Sequence, residues 1–321
     1  MHRWTAVLLS LVLVWLFPVG QAQAYKPRVH VIMTQMAFAR YHECREVRGL
    51  RPTSFDPHRI EQGVRREDHP TFERALNWHF WEDDGRLSWW INPLKRGMTR
   101  VFRRKTRRLD RRMRNYNPSL KGRTKRFARA VGRSLHYIQD VSAPAHVVPV
   151  YHAKGNPFDA YDPMRLRVQI EAALGPVTPR WCDQVEALAK LRGHDSGPQA
   201  LLESNATSTL ARLDEDPTTS KHLWLRKDEV DTQEKQCKHG VRGDGKQRRA
   251  DNKYRSGDKA KHCFKFGCYG SCEFGSDSCQ AVPRRTMDEL YIDLFVNGVR
   301  HSISLMMYAE PDSRHEEVSM W

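Results

Sequence analysis

Apolar residues recur along most of the chain at the three- and four-residue spacing that brings them onto one face of an α-helix. The clearest run carries Phe127, Val131, Leu135 and Ile138, whereas strand-like alternation of apolar and polar residues is scarce. The pattern predicts helices over residues 31–41, 72–81, about 94–114, 123–141, 164–174, 181–191 and 287–307. The expected fold is therefore all-α, a compact multi-helix domain.

Residues 214–280 break the helical pattern. This region is polar, charged and rich in cysteine, and it lies directly before the last predicted helix. It is predicted to be a long insertion within a single domain spanning residues 25–321, partly disordered and partly held by disulfides.

The first 24 residues have the composition of a secretory signal peptide. A basic start is followed by an apolar run from Thr5 to Val19 and by Ala22 and Ala24 in a small-residue cleavage pattern. The run is too short to cross a bilayer comfortably. We therefore expect a secreted or periplasmic protein whose first residue is Tyr25, or Gln23 if cleavage follows Ala22.

The seven cysteines favour disulfides in an oxidising compartment, although the sequence leaves their pairing open. An alternative is a structural zinc site in the insertion, formed by the last four cysteines and His262. Those cysteines are Cys263, Cys268, Cys272 and Cys279.

The chain carries a net charge of +16, and much of the excess lies between residues 95 and 133. Such a surface attracts polyanions, either the headgroups of an anionic membrane or a single-stranded nucleic acid. The same charges could also be a solvated face without a partner. Charge alone does not distinguish a membrane surface, a nucleic acid and the absence of a partner.

The stretch 136–146 carries the most specific chemistry. His136 and Asp140 are four residues apart, so on a helix they share one face. Pro144 is expected to end that helix, and His146 follows in the turn beyond it. Two imidazoles and a carboxylate are ligand types that zinc takes.

Further candidate ligands lie on both sides of this motif. They are His30, close to the expected mature start at Tyr25; Asp68; His79 among tryptophans; and His152, Asp159 and Asp162 after His146. Other histidines, among them His58 and His301, have no candidate partner at a useful spacing.

Together these residues resemble the superfamily of exported, all-helical, zinc-dependent phosphoesterases, which includes bacterial phospholipase C and the single-strand nucleases of fungi and plants. The resemblance covers residues 25–161 and resumes weakly in the last helix. Four family motifs are matched, by His136, Asp140 and His146; by His79-Phe80; by Gly63 to Asp68; and by Tyr25 and His30.

The resemblance implies the zinc phospholipase C type of fold and three Zn²⁺ ions. The first zinc would be held by Asp68, His79, His136 and Asp140. The second would be held by His146, His152 and Asp159, with Asp162 as the rival acid. The third would be held by Tyr25 and His30, with Asp140 bridging to the first. Asp68 would also accept a proton from the attacking water.

The function that the resemblance implies is that of a secreted, monomeric, phospholipase C-like phosphodiesterase. His69 and Leu76 stand where the family's choline-binding aromatic residues are expected, so choline recognition is not implied. One alternative is a single-strand nuclease of the same fold. The other is a non-catalytic binding protein in which zinc is structural and the insertion contacts the partner.

Overall fold

The computed structural model describes residues 27–68, 81, 98–115, 121–147, 158, 161–190, 197–215, 224–226, 263–264, 267–269 and 284–310. Most of the described residues lie in helices, which confirms the expected all-α fold class. The helices are α1 (Pro27–Val47), α2 (Pro57–Asp68), α3 (Met98–Arg114), α4 (Lys121–Asp140), α5 (Pro144–Val147), α6 (Arg167–Leu174), α7 (Pro179–Ala189), α8 (Pro198–Glu215) and α9 (Arg284–Ala309). None of these helices is long and apolar enough to cross a membrane.

Three helices, α2, α5 and α8, were not predicted from the sequence. The predicted helix over residues 72–81 lies outside the described residues except for Trp81. Helix α2 has few apolar residues, of which Ile60 and Val64 are fully buried, so its apolar stripe is too sparse to stand out. Helix α8 buries polar side chains, including Asn205 and Thr209, on its inward face. The prediction that Pro144 ends a helix was also wrong: α4 ends at Asp140, and Pro144 begins α5. Proline suits the first turn because it needs no N–H partner there.

Two helices organise the core. Helix α9 packs against α1, α4, α7 and α8, while α4 also packs against α2 and α3. Their contacts are filled by large buried side chains, among them Tyr41, Phe102, Phe127, Tyr291 and Phe295. Because α4 carries His136 and Asp140, its central position buries both of these residues.

Helices α2 and α4 approach each other through a pair of glycines. The position of a Cβ on Gly63 would be 3.0 Å from the Cα of Gly132, and it would also collide with the carbonyl oxygen of Arg129. A Cβ on Gly132 would collide with the backbone of Ile60. The absence of a side chain at both positions allows this close packing, and it holds α2 against the helix that bears His136.

Residues 214 and 215 of the predicted insertion end helix α8, and its other described residues form three short strands, β1 (Trp224–Arg226), β2 (Cys263–Phe264) and β3 (Gly267–Tyr269). They pair antiparallel in the order β1-β3-β2, with Cys263 opposite Cys268. The strands show that at least these residues of the 214–280 region have regular structure.

The predicted use of cysteine in disulfides is confirmed for one pair. Cys44 on α1 is bonded to Cys182 on α7, and both residues are fully buried. The bond links two segments 138 residues apart, so it restricts the unfolded chain strongly.

His301 on α9 is a buried neutral histidine. Its Nδ1 lies 2.9 Å from the carbonyl oxygen of Asn297, which can only accept, so Nδ1 carries the proton. Its Nε2 then accepts from the hydroxyl of Ser204 at 3.2 Å. Burial lowers the pKa of His301 to about 4; the hydrogen bond to Asn297 opposes this shift in part, and the charge of Arg300 adds a smaller lowering.

This lowered pKa predicts a loss of stability in acid. Between pH 6.5 and about 4 the unfolded state binds a proton at His301 that the folded state does not, so falling pH destabilises the fold. The contribution amounts to roughly 3 kcal/mol once pH is below both values. In metal-free buffer, His301→Gln should show a shallower decline of melting temperature between these pH values. The matched control is His58→Gln, because His58 is exposed; equal slopes for the two variants would contradict the prediction.

Candidate metal centre

Four potential ligands from three helices meet in the interior. His30 lies in the first turn of α1, His136 and Asp140 lie in the last turns of α4, and His146 lies in α5. Each of these residues is at most 1 % exposed. The structure thus brings together both members of the helical pair, the histidine beyond the turn and the histidine near the expected mature start.

The Asp140 carboxylate is the centre of the group. Its Oδ1 lies 3.3 Å from Nε2 of His30, and its Oδ2 lies 3.2 Å from Nε2 of His136. Nδ1 of His146 is 4.0 Å from the same Oδ2. The two carboxylate oxygens therefore face different imidazoles, and the rings of His30 and His136 have centroids 4.4 Å apart.

The group fits a metal ion in geometry as well as in chemistry. His30, His136 and Asp140 each offer a ligand atom, and these atoms all lie within 4.8 Å of one another. Ligands at 2.0–2.1 Å from a tetrahedral zinc are separated by about 3.3 Å. The measured separations of 3.2 and 3.3 Å agree with that value. These residues could hold a metal ion.

Gln139 orients the imidazole of His30. The Oε1 atom of Gln139 lies 3.0 Å from Nδ1 of His30, and its Nε2 donates to the hydroxyls of Thr34 at 2.9 Å and Ser302 at 3.4 Å. Because the amide nitrogen is engaged in these bonds, the oxygen accepts from Nδ1–H. This arrangement turns Nε2 of His30 toward Asp140, from where it could coordinate a metal ion.

Asp140 is held in its charged form. Burial on its own raises the pKa of Asp140, but the neighbouring His136 and His146, together with hydrogen bonds from His136 and His30, more than offset it. The pKa therefore lies well below the usual value for an aspartate. A carboxylate that stays ionised while buried is suited to binding a cation.

A second buried network supports the helix of His136. Glu67 accepts from Nζ of Lys105 at 2.9 Å through both oxygens, from Nε of Arg133, and from the hydroxyl of Tyr137 at 2.8 Å. Burial raises the pKa of Glu67, yet Lys105 and Arg133 together lower it to about 2. The network joins α2, α3 and α4 beside His136 and immediately before Asp68.

The side chains of the other predicted ligands, apart from Asp162, lie outside the described part of the structure. Asp68 is the last residue of α2, but its side chain lies outside the described part of the structure. Four further residues lie outside the described ranges altogether, namely Tyr25, His79, His152 and Asp159. Asp162 is described and exposed, and its Oδ1 accepts from the N–H of Met164 at 3.1 Å.

Sequence reasoning missed the residues that support these ligands. Gln139 lies next to Asp140 in the motif, yet nothing in its spacing relates it to His30, which is 109 residues away. Glu67 has a partial signal, since it directly precedes a candidate ligand. Nothing in the sequence distinguishes its partner Lys105 from the many other basic residues. Only its position on the face of α3 that carries Phe102 and Leu109 indicates that it is buried.

Comparison with protein-family models, with curated proteins and with solved structures finds no match to this chain.

Proposed function

We propose that this chain is a zinc-dependent phosphodiesterase that hydrolyses phospholipids in the manner of phospholipase C. The observation that carries the proposal is the buried Asp140 carboxylate, which faces three histidines contributed by three helices. His30 joins this group from more than a hundred residues away in the sequence, as the resemblance to the zinc phosphoesterases requires.

The ligand types favour a catalytic site over a structural one. Structural zinc sites are built mainly from cysteine, whereas catalytic sites use histidine with a carboxylate and leave a position for water. The described group contains histidine and aspartate, and no cysteine is among its members.

Within the proposal, Asp140 would hold zinc together with His30 and His136. Its Oδ1 faces His30 and its Oδ2 faces His136, so each histidine has a carboxylate oxygen beside it. Gln139 keeps the coordinating nitrogen of His30 directed inward. Bound zinc would neutralise the phosphodiester and lower the pKa of a water toward neutrality. Asp68 would accept the proton of that water, and the other implied ligands, Tyr25, His79, His152 and Asp159, would complete three zinc sites.

The choice of phospholipid rests on the residues around His146. Ala143 and Pro144 follow the aspartate, and Val147-Val148 follow the histidine, and this pattern resembles the phospholipases more than the nucleases. The second candidate is a single-strand nuclease. It is favoured by the arginines exposed on α3, which suit an anionic strand.

We place the protein outside the cytoplasm. The signal-like segment at residues 1–24 and the buried disulfide between Cys44 and Cys182 both support export.

The test is hydrolysis of two substrates side by side, mixed phospholipid vesicles and single-stranded DNA, by the exported form loaded with zinc. We expect diacylglycerol to be released from the vesicles, and we expect chelation to stop the release and added zinc to restore it. His136→Gln should lose the activity. His58→Gln, an exposed histidine of another helix, is the matched control and should keep it.

Each other outcome is informative. DNA cleavage without lipid turnover would show that the protein is a single-strand nuclease and not a phospholipase. Full zinc loading with no turnover of either substrate would overturn catalysis and favour the zinc-stabilised binding protein.

A further inference from the structure

A pocket lined by arginine opens where α3 ends and α4 begins. Its volume is about 540 Å³, within the usual range for small-molecule sites. We call it the arginine pocket. It is lined by Arg108, Arg111, Arg112, Asn115, Arg123 and Arg126.

Helical spacing gathers these residues onto one face. Positions 108, 111, 112 and 115 recur at three- and four-residue steps along α3 and its end, while Phe102 and Leu109 occupy the buried face. Arg123 and Arg126 lie one turn apart on α4, which packs against α3. The two helices therefore contribute to the same pocket from opposite sides.

Three of the five arginines of the pocket donate to backbone carbonyl oxygens. Arg112 donates to the carbonyl oxygen of Arg126, and the Nε of Arg126 donates to that of Gly122 at 3.1 Å. The Nε of Arg111 lies 3.4 Å from the carbonyl oxygen of Arg107. An arginine has five N–H donors, so each of these side chains keeps most of its donors for a ligand.

The pocket has a large excess of positive charge. No carboxylate within the described part of the chain forms an ion pair with any of its five arginines. The nearby Asp110 instead accepts from the hydroxyl of Tyr308 at 3.2 Å. Partial burial, and then the charges of Arg133 and Arg108, lower the pKa of Arg112 below its usual value. Like charges gathered in this way repel one another until an anion binds.

We propose that the arginine pocket binds a phosphate group that carries at least two negative charges, either a phosphomonoester or a pyrophosphate. Guanidinium groups match phosphate oxygens in pairs of parallel hydrogen bonds, and several such groups around one pocket select a multiply charged anion over chloride. The pocket is separate from the metal centre, because Arg126 precedes His136 by ten residues, about 15 Å along α4.

Two kinds of ligand carry such a phosphate group: free pyrophosphate, and the phosphomonoester headgroup of phosphatidate in a membrane. The inference does not rest on hydrolysis, because binding is measured without turnover.

The experiment compares two double variants of the full exported protein that lose equal charge from the same helix. Arg108→Gln/Arg111→Gln alters the pocket, whereas Arg100→Gln/Arg107→Gln alters exposed arginines outside it. Binding of pyrophosphate is measured by titration calorimetry at constant ionic strength. Binding to vesicles of phosphatidylcholine with and without phosphatidate is measured by sedimentation.

We expect the pocket variant to bind at least one of these ligands more weakly by about tenfold or more, since it loses two charge-assisted contacts. The control variant should change binding much less. Pocket-dependent binding of pyrophosphate alone identifies a soluble ligand, and pocket-dependent binding of phosphatidate vesicles alone identifies a lipid headgroup.

Three results would overturn the inference. The first is that neither ligand binds the unaltered protein. The second is that both double variants weaken binding equally, which means that net charge alone is responsible. The third is that the pocket variant loses affinity for a single-stranded oligonucleotide but not for either phosphate ligand, which would make the pocket part of a nucleic-acid surface.

Discussion

Replacing Asp140 with asparagine is expected to abolish tight zinc binding and, with it, any hydrolysis. The buried carboxylate faces His30 and His136 through different oxygens, so it is the ligand shared by the whole group. Asparagine keeps the shape but removes the charge that attracts the cation. We expect the loss of zinc affinity to exceed the roughly 10- to 100-fold that changes to outer-shell partners cause.

Zinc content after dialysis and zinc-dependent stabilisation against heat provide the measurement for Asp140→Asn. Gln139→Met should fall in the intermediate range, since it removes the hydrogen bond that orients His30 but none of the candidate ligands. Asp183→Asn is the control, because that carboxylate is 71 % exposed and pairs with Arg48 on the surface. If Asp140→Asn folded and bound zinc as tightly as the control, the candidate metal centre would be wrong.

Replacing Glu67 with glutamine is expected to reduce the free energy of unfolding by about 3–5 kcal/mol. The change removes a carboxylate that pairs with both Lys105 and Arg133, and Lys105 is 3 % exposed. A buried ammonium without its counter-charge is costly. Since most domains are stable by only about 5–15 kcal/mol, the variant should unfold at clearly lower urea concentration.

A double-mutant cycle separates the ion pair from general damage to packing. Lys105→Met combined with Glu67→Gln should lose less stability than the sum of the two single variants. Glu171→Gln is the control for an exposed pair with Arg167, and we expect it to cost less than about 1 kcal/mol. Unfolding should be followed with and without zinc, because Glu67 directly precedes Asp68. Strict additivity of the Glu67 and Lys105 variants would refute the proposed interaction.

Local periodicity in the sequence predicted most of the described helices. The stripe through Phe127, Val131 and Leu135 placed α4 to within a few residues, because burial of one helical face imposes that spacing. Helix α2 was not predicted because it packs on α4 through the close contact of Gly63 with Gly132. Such a contact adds no apolar residues to the helical pattern from which the other helices were predicted. Helix α8 was not predicted because it buries Asn205, which donates to the carbonyl oxygen of Ile138 at 2.7 Å.

Periodicity, composition and spacing along the chain were enough to predict the helical class, the use of cysteine in disulfides and the local pair of His136 and Asp140. That pair is readable because residues four apart on a helix must share a face. The resemblance to the zinc phosphoesterases implied that His30 shares Asp140 as a ligand, whereas the contact of Gln139 with His30 and the pairing of Cys44 with Cys182 became visible only in the folded chain. These contacts join residues more than a hundred positions apart in the sequence. They depend on how the faces of different helices pack together, which the sequence of one helix does not specify.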